Sequence, residues 1–246
     1  MTSFLDELKG TLFPSRDDKD GPLPPLLVGL TLVTGLVDSF SYLVLGHVFV
    51  ANMTGNVVFL AFALAGAKGF SIISSMLAIA AFLTGSFVAG KLHSRISHHR
   101  GHILGYSALL KVCLIGIAFA LVLISPKPIP KIFSYGLIAA LAISMGIQNA
   151  TARRLAVPDL TTTVLTLTIT GIAADSHYSG GPGSKAGRRL ISILSMFLGA
   201  FIGALLVLYI SEVYPLAIAL IIVIVVTVLV QLYSRGSPAW IVGHSP

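Results

Sequence analysis

The stretch PLLVGLTLVTGLVDSFSYLVL, residues 25–45, decides the fold class of this chain. A helix needs about 20 apolar residues to cross about 30 Å of hydrocarbon, and this stretch is long enough. Runs of similar length and character follow at residues 71–90, 103–124 and 216–233. Of the 246 residues, 55% are hydrophobic and only 10% are charged, whereas an ordinary soluble domain has about 25% charged residues. The sequence therefore predicts an all-α polytopic membrane protein.

The number of crossings has two solutions. Six apolar runs are long enough to span, at residues 25–45, 71–90, 103–124, 132–150, 190–210 and 215–233, and two shorter runs lie at about 56–67 and 160–174. Either all eight cross, or the two short ones enter the membrane and return. With Lys111 left out because it lies within a span, Lys and Arg divide ten to five between the two sides for eight crossings and twelve to three for six. Because positive charge collects on the cytoplasmic side, the count favours six crossings with both termini cytoplasmic, in the plasma (inner) membrane.

These runs predict two membrane repeats between short polar ends. The predicted regions are a solvated N-terminal arm at 1–24 with a short helix at 3–13, a first repeat at 25–124, a linker at 125–131, a second repeat at 132–235 and a C-terminal tail at 236–246. The repeat itself is visible where VANMTGNVVFL, residues 50–60, aligns with VPDLTTTVLTL, residues 157–167, at four identical positions of eleven. An odd number of crossings in each copy would make the two copies inverted.

The two short segments open with polar residues, and these polar heads have two compatible interpretations. Asn52 and Asp159 occupy equivalent positions, and such residues cap the starts of helices. In inverted repeats, two capped ends can also face each other near the membrane midplane and bind a solute between them. The second interpretation predicts that Thr54 and its counterpart Thr161 lie close together. For Asp159, a third interpretation is that it only caps the start of its helix and takes no part in solute binding.

Two stretches carry a resemblance to a known family. VTGLVDSFSYLVLGHVFVANMTGNVVFLAFALAG, residues 33–66, together with GIQNATARRLAVPDLTTTVLTLTITGIAAD, residues 146–175, resembles the YoaK family, which is also called the DUF1275 or UPF0700 transmembrane family. The resemblance covers roughly residues 25–235. It implies a multi-pass integral membrane protein of uncharacterised function, and it transfers no catalytic or binding residue to this chain.

Asp38 is the most informative candidate for a functional residue. A carboxylate inside a span costs at least about 2.5–3.5 kcal/mol on insertion scales, so it marks a water-filled path, an ion partner or a proton carrier. The alternative is a structural residue near the end of a shifted span. Thr31, Thr34 and Ser41 share its helix face at spacings of three and four residues. The predicted pathway residues are Asp38, Asn52, Thr54, Asn56, Gln148, Asn149, Asp159, Thr161 and Thr163.

The remaining polar and small residues have simpler interpretations. Lys111 is expected to extend its ammonium group towards the membrane surface. The stretch HSRISHHRGH, residues 93–102, contains four histidines but no carboxylate or cysteine, so we predict a cationic loop at anionic headgroups and no metal site. Small residues at fourfold spacing predict close helix packing within one molecule or between protomers. They are Ala81, Gly85 and Ala89; Ala142, Gly146 and Ala150; and Ser195, Gly199 and Gly203.

The motifs that are absent narrow the function. The sequence has no Walker loop, no nucleophile elbow and no HExxH motif, so we expect neither an enzyme nor a bound cofactor. The net charge of +7 is explained by the flanks of spanning helices, so no nucleic-acid partner is expected. The repeat and Asp38 favour a transporter or channel for a small solute, with its pathway at the interface of the two repeats. The alternative is a membrane accessory or scaffold protein that partners another protein or lipid. The expected partners besides a solute are the lipid bilayer and further copies of this chain in a homo-oligomer.

Overall fold

The computed structural model describes residues 4–15, 18–96, 99–160, 162–163, 165–181, 183–235 and 239–241. Every regular element in these ranges is helical, which confirms the all-α prediction. The helices are α1 (Phe4–Leu12), α2 (Leu23–Val44), α3 (Met53–Leu64), α4 (Ile72–Arg95), α5 (Arg100–Ile124), α6 (Lys131–Leu155), α7 (Leu165–Ala174), α8 (Ala186–Tyr209) and α9 (Val213–Tyr233), with 3₁₀ turns at His177–Ser179 and Ala239–Ile241.

Six of these helices are long and apolar enough to span a membrane: α2, α4, α5, α6, α8 and α9. They contain 21 to 25 residues each, and a helix of that length extends over about 30 Å or more. Helices α3 and α7 have 12 and 10 residues and are too short to cross. The predicted set of six spans and two short polar-headed helices is therefore confirmed for the part of the chain that the structure covers.

Local sequence fixes where the helices begin and end. Pro24 and Pro25 lie in the first turn of α2, where backbone N–H groups have no partner within the helix and proline is tolerated. The side chain of Ser71 caps α4 by accepting a hydrogen bond from the Ser74 backbone N–H at 3.2 Å. At the other end of α6, Ala156 adopts a left-handed conformation (φ 50°), which stops the helix before Pro158.

The two repeats interlock through two crossings that use the same local pattern. In the crossing of α4 with α6, a methyl group added at Gly85 would overlap the Ile143 carbonyl oxygen, and one at Gly146 would overlap the Phe82 carbonyl oxygen. Each glycine therefore contacts a carbonyl oxygen of the other helix, and that carbonyl belongs to the residue three positions before the other helix's glycine. Such backbone contact is possible only because glycine has no side chain, as in other small-residue helix interfaces.

The crossing of α2 with α8 repeats this reciprocal contact. Gly35 lies against the carbonyl oxygen of Met196, and Gly199 lies against that of Leu32. The spacing of three residues between carbonyl and glycine is the same on all four helices. Because α2 and α4 belong to the first repeat and α6 and α8 to the second, each crossing joins one helix from each copy. The same local contact is thus made twice, each time between the two predicted repeats, and these glycines of the small-residue stripes are used within one molecule.

Helices α2 and α6 form the centre of the bundle. They are the least hydrophobic of the six spans, with mean hydropathies of 1.7 and 1.4, and they are the most buried, with 67% and 56% of their most apolar part inside the protein. The other four have mean hydropathies of 2.0 to 3.0 and are 28–39% buried. Polar residues within a membrane are expected to face the bundle interior. The two helices that carry Asp38 and Gln148 are thus the ones shielded from lipid.

Most of the charged residues lie at one end of the bundle, which we call the basic face. Arg100 at the start of α5 binds the carboxylate of Asp20, just before α2, at 2.9 Å, and the carbonyl of Leu155 at the end of α6 at 2.9 Å. Arg188 at the start of α8 lies 4.0 Å from Asp20. The ring of Trp240, which follows α9, covers Gly21. These contacts bring the beginnings of α2, α5 and α8 and the ends of α6 and α9 to one face.

The opposite face carries little charge. Along the described chain its basic residues are Lys68, Lys127 and Lys131, and Lys127 forms an ion pair with Glu212. Helix α3 follows the end of α2 and therefore lies towards this face, whereas α7 follows the end of α6 and lies towards the basic face. The two short helices are thus associated with opposite ends of the bundle, as an inverted pair of repeats requires.

The N-terminal arm is helical and packs on the bundle. The predicted helix at 3–13 corresponds to α1. The Glu7 carboxylate accepts a hydrogen bond from the Gly187 backbone N–H, in the first turn of α8, at 2.9 Å. Free backbone N–H groups at a helix start favour such an acidic partner. The arm is therefore attached to the second repeat, although most of its side chains are exposed as the sequence predicted.

Candidate functional site

Asp38 lies in the last third of α2 and is 4% exposed. One oxygen of its carboxylate accepts hydrogen bonds from the backbone N–H groups of Val50 and Ala51, at 2.9 and 2.8 Å. The loop at 45–52, between α2 and α3, therefore folds back onto α2 around this carboxylate. Two N–H donors stabilise a buried negative charge that no described cation pairs with.

Asn56 fixes the other side of the same loop and is fully buried. Its side-chain oxygen accepts from the Phe49 backbone N–H at 3.0 Å, and its amide group donates to the Phe49 carbonyl at 2.7 Å. The side chain thus pairs with one residue of the loop much as a neighbouring strand would. Asp38 and Asn56 together hold the loop from both ends.

Asn52 and Thr54 are exposed at the start of α3. The oxygen of the Asn52 side chain accepts from the Gly55 backbone N–H at 3.3 Å, so Asn52 is the N-cap of α3, as the capping interpretation predicted. Tyr42, Phe49 and Phe59 stack beside this segment with ring centroids 5.0 to 6.0 Å apart. The polar head of the first copy is therefore anchored by hydrogen bonds and lies beside a cluster of aromatic rings.

The polar head of the second copy is organised around Arg189, in the first turn of α8. The guanidinium donates to Asp159 at 2.8 Å and to Asp175 at 2.7 Å. It lies against Gly171 of α7, where any side chain would overlap it. Asp159 has a left-handed backbone conformation (φ 64°) and lies six residues before Leu165, where α7 begins. The sequence placed this helix start near residue 160, which is wrong because Asp159 binds Arg189 instead of beginning the helix.

Several polar atoms near this second head have no partner among the described residues. They are Nη1 of Arg189 and the hydroxyls of Thr162, Thr163 and Ser192. Thr162 is fully buried and has φ 62°, so its backbone is held in a conformation that disfavours a branched side chain. Thr161 lies outside the described residues, so the expected approach of Thr54 and Thr161 stays a prediction.

Gln148 links the two repeats at the centre of the bundle. Its oxygen accepts a hydrogen bond from the ammonium group of Lys111 on α5. Its amide nitrogen donates to the Thr34 hydroxyl on α2 at 2.8 Å and to the Leu30 carbonyl at 3.2 Å. Gln148 belongs to the second repeat, and its three partners belong to the first. This network is therefore formed at the interface of the two copies.

The network extends towards the basic face along α5 and α6. Ser107, one turn from Lys111, lies 3.0 Å from Nε2 of His93, and Thr151, about one turn from Gln148, lies 3.5 Å from the same nitrogen. In the other direction along α6, Ser144 is fully buried, and its hydroxyl has no partner in the described structure. We call this set the polar column: Thr34, Ser107, Lys111, Ser144, Gln148 and Thr151, with His93 at its basic end. Each of these side chains is at most 4% exposed.

Lys111 is the main correction to the sequence-based assignment. It was expected to extend to the membrane surface, but only 1% of it is exposed, and its ammonium group bonds to Gln148 inside the bundle. The expectation is wrong because α5 begins at Arg100, so Lys111 lies three turns into the helix. From that depth a lysine side chain on an inward face cannot reach water.

The other predicted pathway residue of α6, Asn149, lies outside the column. Asn149 is half-buried and points away from the column, since adjacent helical residues face different directions.

The histidines of the stretch at 93–102 do not form one cluster. His93 is buried at the end of α4, apart from His99 and His102, whose ring centroids are 3.7 Å apart in a stacked arrangement. Burial, together with the nearby charge of His102, lowers the pKa of His99. His98 lies outside the described residues.

The predicted pathway residues thus separate into three groups: the loop bound by Asp38, the cluster around Arg189 and the network around Gln148.

Lys111, Ser107, Thr151 and Arg189 belong to these sites but were missing from the predicted set. A signal for the first three is present in the sequence. Ser107 and Lys111 are four residues apart, Gln148 and Thr151 are three apart, and both pairs fall on single helix faces within apolar runs. Arg189 carried no such signal, because its carboxylate partners are 14 and 30 residues distant.

Comparisons with known proteins show similarity to a transmembrane protein. Residues 26–229 match the model of a family described as "Protein of unknown function (DUF1275)". The UPF0700 transmembrane protein YoaK of Bacillus subtilis (strain 168) is 33% identical over 150 residues, which are 61% of this chain and 65% of that relative. The matched part thus spans slightly less than two thirds of the relative's length. No solved structure matches the chain.

Proposed function

The chain belongs to the DUF1275 family, whose description assigns no function, and we therefore propose one from the site itself. We propose that the protein is a transporter or channel for a small solute, with its pathway at the interface of the two repeats. The polar column is the observation that carries this proposal. Its central link runs from Lys111 in the first repeat through Gln148 in the second and back to Thr34.

Burying a polar column of this kind inside a membrane protein is energetically unfavourable, so its presence suggests a function. Polar side chains inside a bundle are stabilised by their partners, but isolated ionisable residues within spans commonly mark the path of a solute or proton. Here Lys111 is buried and bonds to Gln148 on α6, and the hydroxyl of Ser144, one turn from Gln148 on the same helix, is unpaired among the described groups. A buried donor without a partner indicates a place where a polar solute or water can bind.

Uptake into proteoliposomes tests this proposal. The full chain is reconstituted, and isotope-labelled nitrate, urea and guanidinium are offered, since these planar solutes have similar size and negative, neutral and positive charge. Valinomycin with equal potassium on both sides holds the membrane potential at zero. We expect at least one solute to enter faster than into protein-free vesicles. Ser144→Val should slow it by about tenfold, which corresponds to about 1.4 kcal/mol added to the barrier.

Ser144→Val is chosen because Ser144 has no described hydrogen-bond partner to lose. The matched control is Thr227→Val on α9, which is also buried but whose hydroxyl bonds to the Val223 carbonyl of its own helix. The control should leave uptake unchanged. If no solute enters faster than into empty vesicles, or if both substitutions slow uptake equally, the pathway does not run through the column.

The orientation and location follow from charge. The basic face carries Lys19, Arg100 and Arg188 among many others, whereas the opposite face has few cations, so we propose that the basic face and both termini are cytoplasmic. The plasma (inner) membrane is the proposed location. No catalytic reaction is assigned to the chain.

A second candidate is an accessory or scaffold role in which the protein partners lipid or another protein. It is favoured by an apolar groove of about 650 Å³ between the N-terminal arm, α2 and α9, lined by Phe13, Pro25, Ile222 and Leu229 among others. Phe13 is 82% exposed at its edge. Under this role the groove would bind a lipid chain, and substitutions in the polar column would change stability without any solute uptake to lose.

A further inference from the structure

We propose that the solute of the polar column is a small anion and that Lys111 is the residue that selects it. This inference rests on the proposed transport function and specifies its substrate class. The argument depends on the charge balance around Lys111 and on which hydrogen-bond groups of the column remain unused.

The ionisable side chain that bonds to Gln148 at the centre of the bundle is a lysine. Lys111 is 1% exposed, and its one hydrogen-bond partner in the described structure is the neutral oxygen of Gln148. The described ion pairs all involve other residues and lie at the two ends of the bundle. A buried ammonium group without a carboxylate lacks the usual compensation for losing its hydration. A bound anion would supply that compensation.

Two other ionisable groups lie on the helices around the column, and the hydrogen bonds described for them go to groups other than Lys111. Asp38 is one turn beyond Thr34 on α2, but its bonded oxygen faces the Val50 and Ala51 N–H groups of the loop. His93 lies at the basic end of the column and bonds to Ser107. Of these three ionisable groups, Lys111 is the one that bonds to Gln148, at the middle of the column.

The unused hydrogen-bond groups are N–H and O–H groups, all of which can donate, although a hydroxyl can also accept. An ammonium group has three N–H bonds, and Gln148 accepts one of them. The amide nitrogen of Gln148 is already directed to Thr34 and Leu30. The unpaired Ser144 hydroxyl, one turn from Gln148 on the same face of α6, provides a further donor. Spare donors around a positive charge favour a solute that accepts hydrogen bonds and carries negative charge.

The size of the solute is limited by the close crossings on either side. Gly146 is two residues from Ser144 and touches the backbone of α4, so the neighbouring helices cannot separate widely at this level. Thr34 is adjacent to Gly35, which touches α8 in the same way. An anion of a few heavy atoms fits this constraint, whereas a nucleotide or a lipid headgroup does not.

The test compares nitrate, urea and guanidinium uptake by wild type and by Lys111→Gln, with the membrane potential held at zero. Lys111→Gln keeps a hydrogen-bond donor towards Gln148 but removes the charge. Lys68→Gln, an exposed lysine on the opposite face, is the matched control. In wild type we expect nitrate to enter at least about tenfold faster than guanidinium. The fixed positive charge of Lys111 in a low-dielectric site attracts nitrate and repels guanidinium. Lys111→Gln should abolish this preference while urea uptake persists, and Lys68→Gln should retain it.

The outcomes separate the two proposals. If urea or guanidinium enters wild type at least as fast as nitrate, the column conducts solutes but the anion inference is overturned. If the nitrate preference survives in Lys111→Gln, another residue selects the anion and the assignment to Lys111 is overturned. If none of the three solutes enters faster than into empty vesicles, the transport proposal fails, and the inference fails with it. Should Lys111→Gln not fold, as judged by gel filtration in detergent, the order of the three rates in wild type decides the substrate class alone.

Discussion

At the scale of single residues, the structure divides the polar side chains of the spans into two kinds. Asp38 and Asn56 have backbone partners within one loop, so they hold the connection between α2 and α3. Lys111 and Gln148 have partners on other helices. The sequence identified Asp38 from the polarity of its helix face, but this pattern does not reveal what a side chain binds. The partners of Asp38 are backbone N–H groups. Nearly every residue has such a group, so the sequence does not show which ones bind the carboxylate.

Asp38→Asn should weaken the loop without preventing folding. Asparagine keeps an oxygen for the Val50 and Ala51 N–H groups but loses the charge, and a hydrogen bond to a neutral acceptor contributes about 1 kcal/mol less than one to a charged acceptor. We therefore expect a loss of about 1–2 kcal/mol in the free energy of unfolding, and faster proteolysis within residues 45–52. Thermal unfolding in detergent and limited proteolysis measure the two effects.

Asp38→Leu should be more damaging, because each buried N–H group left without an acceptor costs about 1–3 kcal/mol. Thr31→Val is the matched control, since Thr31 is equally buried on α2 and bonds only to the Leu27 carbonyl of its own helix. A loop equally protected in Asp38→Leu and Thr31→Val would show that the carboxylate does not organise it.

At the scale of helices, the six spans were readable from the sequence, since hydrophobic length is a local property. Helices α4 and α6 nevertheless extend to Arg95 and Leu155, about five residues beyond their apolar runs. Polar residues continue a helix when other parts of the bundle bind them, as Arg100 binds the Leu155 carbonyl. The stripes of small residues were also recognised, but which helices they join depends on tertiary packing. Spacing alone left contacts within a monomer and between protomers equally open.

The reciprocal glycine contacts make a specific prediction for helix packing. Gly146→Ala places a methyl group against the Phe82 carbonyl, and Gly35→Ala does the same against Met196. Because the two crossings repeat one pattern, both substitutions should destabilise the protein by a similar amount, about 1–3 kcal/mol, typical of overpacked interfaces. Thermal unfolding of the detergent-solubilised protein measures the loss.

Gly116→Ala on α5 is the matched control, because nothing lies within 4 Å of the added methyl group. It should be neutral or slightly stabilising, since alanine favours helix by about 1 kcal/mol over glycine. Unequal effects of Gly35→Ala and Gly146→Ala, with one of them resembling the control, would contradict the equivalence of the two crossings.

At the scale of the whole molecule, the bundle has a basic face, a sparsely charged opposite face and a polar column between them. The column runs from His93 at the end of α4, through Lys111 and Gln148, to Ser144. Asp38 and its loop lie further towards the opposite face. The sequence predicted the two faces from charge and the duplication from four identities, whereas the column emerged only when α2, α5 and α6 were brought together. The proposed transport requires a path through this column that connects the two faces.

The reactivity of a thiol at position 144 tests that claim most directly. In a Cys113→Ala background, Ser144→Cys is exposed to a small membrane-impermeant methanethiosulfonate added to one face of the membrane or the other. Tyr178→Cys and Lys68→Cys, both exposed, mark the basic and the opposite face. We expect the thiol at position 144 to react from both faces, while each marker reacts from one face only. If that thiol stays unmodified from either face while the marker on that face reacts, the column does not connect the two sides of the membrane.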